Sequence, residues 1–332
     1  MWRPIAANDP RVGRFRADLE ALTGRPPTVA APLGIAVSGG PDSTALLLLA
    51  AAAYPGMVVA ATVDHRLRPG SAAEAEQVAA ICADLGVPHD VLALEWEAPR
   101  ANLQSSARKA RYEALSRWSA GRGCGWLAVA HHVDDQAETL LMRLARGSGV
   151  RGAGGVRPVR ALAAGASEGL TVQLIRPLLG WRRADLGALV EEAGIAAVDD
   201  PANRDARHDR SRVRRTLAGT PWLAPERLAA AAAHFTEAEE ALDWAARSLW
   251  AARAEVGDDG VVCLAVADLP RELQRRLLAQ AIGDVAKSDE IPGPKLTRVL
   301  DSLLAGRVAT LAGVKCAPGP PWRFVRAPAR RS

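Results

Sequence analysis

The chain has 332 residues, 49% of them hydrophobic and 4% aromatic, with a net charge of +5 and four cysteines. That length supports a sizeable buried core and two domains. Cys82, Cys124, Cys263 and Cys316 are far apart with no C-x-x-C pair, which disfavours a zinc site, a redox dithiol or a disulfide framework. The opening "MWRPIAANDPRVGRF" has no apolar h-region, and the longest apolar stretch is broken by Pro55-Gly56. Neither a secretory leader nor a membrane span is expected, and the expected location is cytoplasmic. The positive charge is nearly all arginine, and an excess this small is weak support for a polyanionic partner.

Taken in chain order, short β-like runs alternate with helix-like stretches. "LGIAV" is followed by the buried helix "STALLLLAAAAY", and "GMVVAATV" by "SAAEAEQVAAICADLG". "HDVLALEW" precedes "QSSARKARYEALSRWSAG", and "GWLAVA" precedes "VDDQAETLLMRLARG". Such alternation predicts βαβ units and a parallel sheet with right-handed crossovers. A Gly-rich stretch and an Ala/Gly/Ser loop run to about Gly169, then "TVQLIRPLL" reads as one more strand and "RRADLGALVEEAG" as a helix. Residues 199–215 are charged and without apolar period, and read as the seam between domains. From Pro221 the pattern is mostly helical, with one short strand at "GVVCLAV". The expected domains are 1–215, catalytic, and 216–332, mainly helical.

In open α/β sheets ligands sit outside the carboxyl ends of the strands. Three polar groups fall there: Ser38, Gly39, Gly40, Pro41, Asp42 and Ser43 after the first strand; Asp64, His65 and Arg66 after the second; and His131-His132 with Asp134, Asp135 and Glu138 after the fourth. The first group suits a phosphate chain. Its glycines allow close backbone approach, and the next helix aims free N–H groups at an anion. Asp42 is a candidate for capping that helix or for holding Mg2+. No G-K-[ST] follows, so this is not a Walker-type P-loop.

"SGGPDS" resembles the pyrophosphate loop of N-type ATP pyrophosphatases, the PP-loop superfamily. "VDHRLRPGSAAEA", "ARKARY", "HHVDDQAETLLMRLARGSG" and "RPLL" narrow the resemblance to the tRNA(Ile)-lysidine synthetase family, over residues 33–215 and in its short form. Two departures from the family pattern stand out: Gly152-Ala153-Gly154-Gly155-Val156 in the Gly-rich loop, and Ser211 where Asn is usual. The resemblance implies an adenine-nucleotide α-hydrolase-like (Rossmann-like) α/β domain followed by a helical domain that helps hold tRNA. It also implies a reaction. The C2 oxygen of the wobble cytidine (position 34) of tRNA(Ile) with a CAU anticodon attacks the α-phosphorus of ATP. Pyrophosphate leaves, and the ε-amine of L-lysine then displaces AMP.

Further expectations follow from the resemblance. ATP lies against Ser38–Ser43 and Asp64, His65 and Arg66, with Mg2+ at Asp42. The catalytic set is Asp42, Arg108, Arg111, His132 and Asp134. Lysine, whose deprotonation at pH 7 costs about 4–5 kcal/mol, is assigned to Asp134, Asp135 and Glu138, with a carboxylate or His132 as proton acceptor. Asp134 and Glu138 are four apart and share a helix face. Arg204, Arg207, Arg210, Arg212 and Arg214 are read as tRNA backbone contacts. A homodimer is left open, and no membrane partner is expected. The alternatives are a related adenylating enzyme using ammonia or sulfide, or a non-catalytic nucleotide- or tRNA-binding module.

Overall fold

The computed structural model describes residues 3–66, 70–94, 103–163, 171–197, 209–288, 291 and 293–328. The first helix, α1 (Pro10–Thr23), has sharp ends that its sequence dictates. Asp9 accepts a hydrogen bond from the Arg11 N–H, Pro10 opens the helix, and Gly24 closes it in the left-handed conformation. Strand β1 (Leu33–Ala36) then runs into α2 (Pro41–Ala53), whose Leu46 to Ala50 are all buried. β2 (Val58–Asp64), α3 (Ser71–Asp84), β3 (His89–Ala93), α4 (Leu103–Gly121) and β4 (Trp126–Ala128) continue the alternation. After α5 (Val133–Ala145) come the short α6 (Val150–Ala153), β5 (Val159–Ala163), β6 (Thr171–Ile175) and α7 (Arg183–Glu192).

These six strands form one sheet in the order β3-β2-β1-β4-β6-β5. All neighbours are parallel except β5, which pairs antiparallel with β6 at the edge. Sequence reading took the β5 region for loop. Its strand is short, exposed at Val159 and Arg160, and paired on one side only, so it carries no apolar period to read. Strand residues alternate between two cores. Ile35, Ala128 and Ile175 join the core built on α1, α2, α3 and α7, whereas Leu127 and Leu174 join the one beneath Tyr112 and Leu115 of α4.

Residues 209–215, read from sequence as part of the seam, lie in a helix, α8 (Asp209–Ala218), with contacts to α5. The long α9 (Pro225–Arg253) follows, and the chain's two compact units, Met1–Phe235 and Thr236–Ser332, divide within it. The second unit adds β7 (Ala254–Val256), β8 (Val262–Leu264), α10 (Arg271–Ala286), α11 (Gly293–Leu304), β9 (Ala309–Leu311), β10 (Val314–Ala317) and β11 (Trp322–Arg326). It is mainly helical and also holds a five-stranded sheet in the order β7-β8-β11-β10-β9, with every pair antiparallel. Only β8 was anticipated. The other strands are three to five residues long and broken by turns such as Gly313 at φ 73°, so they offer little alternation to detect. No helix among the described residues is long and apolar enough to cross a membrane.

Candidate active site

Strand order reverses between β1 and β4: the chain moves outward through β2 and β3 on one side, then through β4 and β6 on the other. Such a switch point leaves a crevice at the carboxyl ends of β1 and β4. The Ser38–Ser43 loop leaves β1 there, and His131-His132 leave β4. Tertiary structure thus joins two groups almost a hundred residues apart in sequence.

The loop is braced from within. Ser43 Oγ donates to the Gly40 carbonyl at 3.0 Å and accepts from the Ser38 N–H at 3.1 Å. Gly39 sits at φ 83°, a conformation that a side chain would strain. Gly40 is extended, caps α2 without a side-chain bond, and precedes Pro41 at the first helical position. Asp42 therefore does not cap the helix. Its Oδ1 is buried with no hydrogen-bond partner, a costly state for a carboxylate unless a cation or donor completes it. One free carboxylate oxygen suits Mg2+, which takes one or two carboxylates and otherwise substrate phosphates and water. Among the described residues no larger cluster of His, Cys, Asp and Glu competes as a metal cage.

His132 is 1% exposed and caps α5. Its Nδ1 accepts from the Asp135 N–H at 3.3 Å, and Asp135 Oδ2 accepts from the His132 N–H at 3.1 Å. Its Nε2 lies 3.5 Å from both Asp42 Oδ2 and Asp135 Oδ2. Burial alone would lower its pKa, but the hydrogen bond to Asp42 and the charges of Asp135, Asp42 and Asp134 hold it raised.

The neighbouring His131 has the opposite character. Burial, then Arg176, Arg108, Arg210 and Arg111, push its pKa down to about 3. Arg176 is 3% exposed, donates from Nε to His131 Nδ1 at 3.2 Å and from Nη1 to the Arg157 carbonyl at 2.5 Å. Arg108 and Arg111 lie over the Tyr112 ring at 5.0 and 5.1 Å. Arg160 and Arg176 lie on the sheet face that α4 covers, because Arg160 pairs with Leu174, two residues before Arg176. Sequence reading did not single out Arg160, and it took Arg176 only as the first residue of "RPLL", with no role assigned. An arginine directly after an apolar strand was the available signal.

The acidic residues of α5 separate. Asp134 turns to α7: its Oδ2 accepts from the Arg183 N–H at 2.8 Å and its Oδ1 from Arg182 Nη2 at 3.2 Å. Burial would raise its pKa, but these donors hold it low. Asp135 and Glu138 turn to α8. Arg210 Nε donates to Glu138 Oε2 at 2.8 Å and Nη2 to Asp135 Oδ1 at 2.8 Å, while Arg214 Nε donates to Glu138 Oε1 at 2.7 Å. Arg212 instead pairs with Asp209 at the surface. Arg204 and Arg207 lie outside the described residues.

Asp64, His65 and Arg66 stand at the end of β2, beside β1. Asp64 Oδ1 accepts from the Arg66 N–H at 2.9 Å, which with Ser71 lowers the Asp64 pKa. The Gly-rich segment is pinned to α5. Gln136 Nε2 donates to the Val156 carbonyl at 3.0 Å and its Oε1 accepts from the Val156 N–H at 2.6 Å. A Cβ on Gly155 would come within 2.7 Å of that amide, so a larger residue there would push Gln136 from its place.

Residues 14–220 match the family described as a PP-loop domain. Curated relatives are similar along nearly the whole chain. The tRNA(Ile)-lysidine synthase of Novosphingobium aromaticivorans is 47% identical, covering 96% of this chain and 94% of its own length. That of Zymomonas mobilis is 41% identical, covering 97% and 96%. Among solved structures, the U34-tRNA thiolase NcsA from Methanococcus maripaludis shares the fold, with a TM-score of 0.56 at 17% identity over 70% of this chain and 81% of that one. A PP-loop at the switch point, and identity at this level from end to end, lead to one assignment: the chain belongs to the tRNA(Ile)-lysidine synthase family.

Proposed function

We propose that the protein converts the wobble cytidine (position 34) of a tRNA(Ile) with a CAU anticodon to lysidine, using ATP and free L-lysine and releasing AMP and pyrophosphate. Codon reading then changes from AUG to AUA. The observation that carries this is the relationship just described: similarity from end to end to tRNA(Ile)-lysidine synthases, with phosphate loop and acidic pair meeting at the switch point.

The chain's groups suit two successive displacements. Backbone N–H groups at the start of α2, with Ser38, face the phosphates of ATP and offset charge as the cytidine O2 attacks the α-phosphorus. Adenosine is assigned to the strand end carrying Asp64, His65 and Arg66. Arg108 and Arg111 are assigned to phosphate, since no carboxylate among the described residues pairs with either. Asp42 is the residue that would hold Mg2+, which supplies charge neutralisation to the phosphates. His132, committed through Nδ1 to the helix cap and facing Asp42 through Nε2, orients that carboxylate.

In the second displacement the lysine amine attacks C2 and expels AMP. Asp135 and Glu138 are assigned to lysine. The proton acceptor is a carboxylate, because both nitrogens of His132 face other groups. Asp134, held by Arg182 and Arg183, is assigned to positioning. Arg212, exposed on α8, and the second unit are assigned to tRNA.

The test is transfer of radiolabelled lysine to an unmodified tRNA(Ile) transcript with a CAU anticodon. The expected result is ATP-dependent label on the tRNA with AMP formed in equal amount. AMP formation indifferent to lysine, or binding without pyrophosphate release, would overturn it.

A further inference from the structure

Arg176 is a buried cation whose side chain meets only neutral partners. It follows β6 directly, and among the described residues no carboxylate pairs with it. Its backbone N–H donates to the Pro158 carbonyl at 3.0 Å and its Nη1 to the Arg157 carbonyl, so the segment entering β5 holds the residue at both ends. Its Nε donates to His131 Nδ1 at 3.2 Å. Sheet register sets up that contact: Ala128 of β4 lies opposite Ile175 of β6, and the Val129 N–H donates to the Ile175 carbonyl at 3.0 Å. A guanidinium taken out of water without an anion is costly, so its place against His131 calls for a reason. The chemistry of the contact supplies one. A guanidinium keeps its protons in a protein and accepts no hydrogen bond. Nδ1 of His131 therefore holds a lone pair, the ring is neutral, and its one N–H is at Nε2. Among the described residues that Nε2 has no hydrogen-bond partner, and His131 is only partly buried. The next residue, His132, brings its own Nε2 to 3.5 Å from Asp42 of the phosphate loop.

We propose that Arg176 is a positioning residue of the adenylation step: it locks His131 as the neutral ring with its proton on Nε2, and that N–H donates to an oxygen of the α-phosphoryl group as the cytidine attacks. The proposal rests on the adenylation reading given above. In that step the bond from cytidine O2 to phosphorus forms, the bond to pyrophosphate breaks, and the imidazole keeps its proton throughout. Neutrality is what the lock secures. An imidazolium at the same place is an acid, and protonation of the cytidine would remove the lone pair that attacks. A neutral N–H offsets charge on the phosphoryl oxygen without giving up its proton. The surroundings act in the same direction. Arg176 after β6, Arg108 and Arg111 of α4 and Arg210 of α8 all face the ring, and all are cations that disfavour a second proton on it. Charge repulsion alone keeps the ring neutral but does not choose the tautomer. Only the bond from Arg176 to Nδ1 does that.

Nitrogen NMR of the full chain labelled in its histidines, with His131 identified by the signals lost in His131→Gln, reads the tautomer directly. Wild type is expected to carry the proton on Nε2 alone at pH 7 and to stay neutral at pH 5.5. A proton on Nδ1, or a charged ring at pH 5.5, would overturn the proposal without any variant of Arg176. Arg176→Met keeps an unbranched stem and no donor, whereas Arg176→Lys keeps a charged donor. Both are compared with wild type in pyrophosphate release from ATP that depends on the CAU transcript, with lysine omitted. Arg176→Met is expected to slow release by about 10- to 100-fold at pH 7, less than full loss of such a donor because the Nε2 tautomer is still partly populated. Its KM for ATP is expected to stay within about twofold of wild type, since the donor acts on charge that develops in the transition state. Release is expected to slow further as pH falls through about 6.5, where a freed imidazole takes its second proton. Arg176→Lys is expected to recover part of the rate and the flat pH profile. A wild-type rate and profile in Arg176→Met would overturn the proposal. So would a slow Arg176→Met in which His131 still carries its proton on Nε2 alone, since the arginine would then act without the histidine. Wild type that holds the expected tautomer yet releases no pyrophosphate with the transcript would instead remove the adenylation reading, and the proposal with it.

Discussion

His131 and His132 are adjacent in sequence but their pKa values are pushed in opposite directions. His131, among arginines, has its pKa pushed down to about 3, and His132, among carboxylates, has its own raised. The consequences for stability have opposite signs. For His131 the folded value lies below the unfolded one of about 6.5, so acid favours the unfolded chain. Stability from this residue is full above about pH 6.5 and lost progressively as pH falls toward 3. For His132 the contribution is full below about pH 6.5 and lost as pH rises through its raised value. His131→Gln keeps an acceptor for Arg176 and removes the titration. Urea unfolding at pH 7 and pH 4.5 is the check: the variant is expected to lose about 2–3 kcal/mol less than wild type between those values. An equal loss would mean that the neutral imidazole is not what acid attacks.

At the scale of elements, the first two turns of α5 distribute their carboxylates among neighbours. Asp134 holds the start of α7, Asp135 closes the cap with His132, and Glu138 receives α8. Spacing of three or four residues puts side chains on one helix face, yet helix packing decides which of them share a pocket. Asp134→Ala should lower stability by about 1–3 kcal/mol, since it strands the Arg183 N–H and frees Arg182. Its lysine KM should remain within about twofold of wild type, against at least about tenfold for Glu138→Gln, as charged hydrogen bonds are worth. Thermal melts and transfer kinetics on the same preparations make the comparison. A large rise in KM for Asp134→Ala would return that residue to the lysine pocket.

At the scale of the whole chain, each unit has its own core. The second is tied by a buried arginine. Arg276 on α10 donates from Nη2 to Glu239 at 2.5 Å and from Nε to Glu272 at 2.9 Å, and also pairs with Asp243. Removing Arg276 leaves the buried Glu239 carboxylate without its cation, which typically costs about 3–5 kcal/mol. Arg276→Ala is therefore expected to destabilise the second unit by that amount while ATP binding, assigned to the first unit, continues at 20 °C. Denaturation followed by tryptophan fluorescence, with ATP binding measured alongside, would report both. Coincident loss of the two signals at low denaturant would show that the units fold as one.

The sequence alone determined the αβ alternation, the phosphate loop and the family, because these depend on local pattern: apolar period, glycine where φ is positive, and short motifs in fixed order. Gly39 and the burial of α2 were legible in that way. Only the tertiary structure decided the sheet order that places β1 beside β4, the antiparallel edge strand β5, and the sheet of the second unit. It alone decided that Arg210 and Arg214 meet Asp135 and Glu138, that Asp134 serves α7, and that Arg176 stands beside His131. Those outcomes depend on contacts between distant segments, where charge neutralisation and packing choose partners that no local spacing specifies.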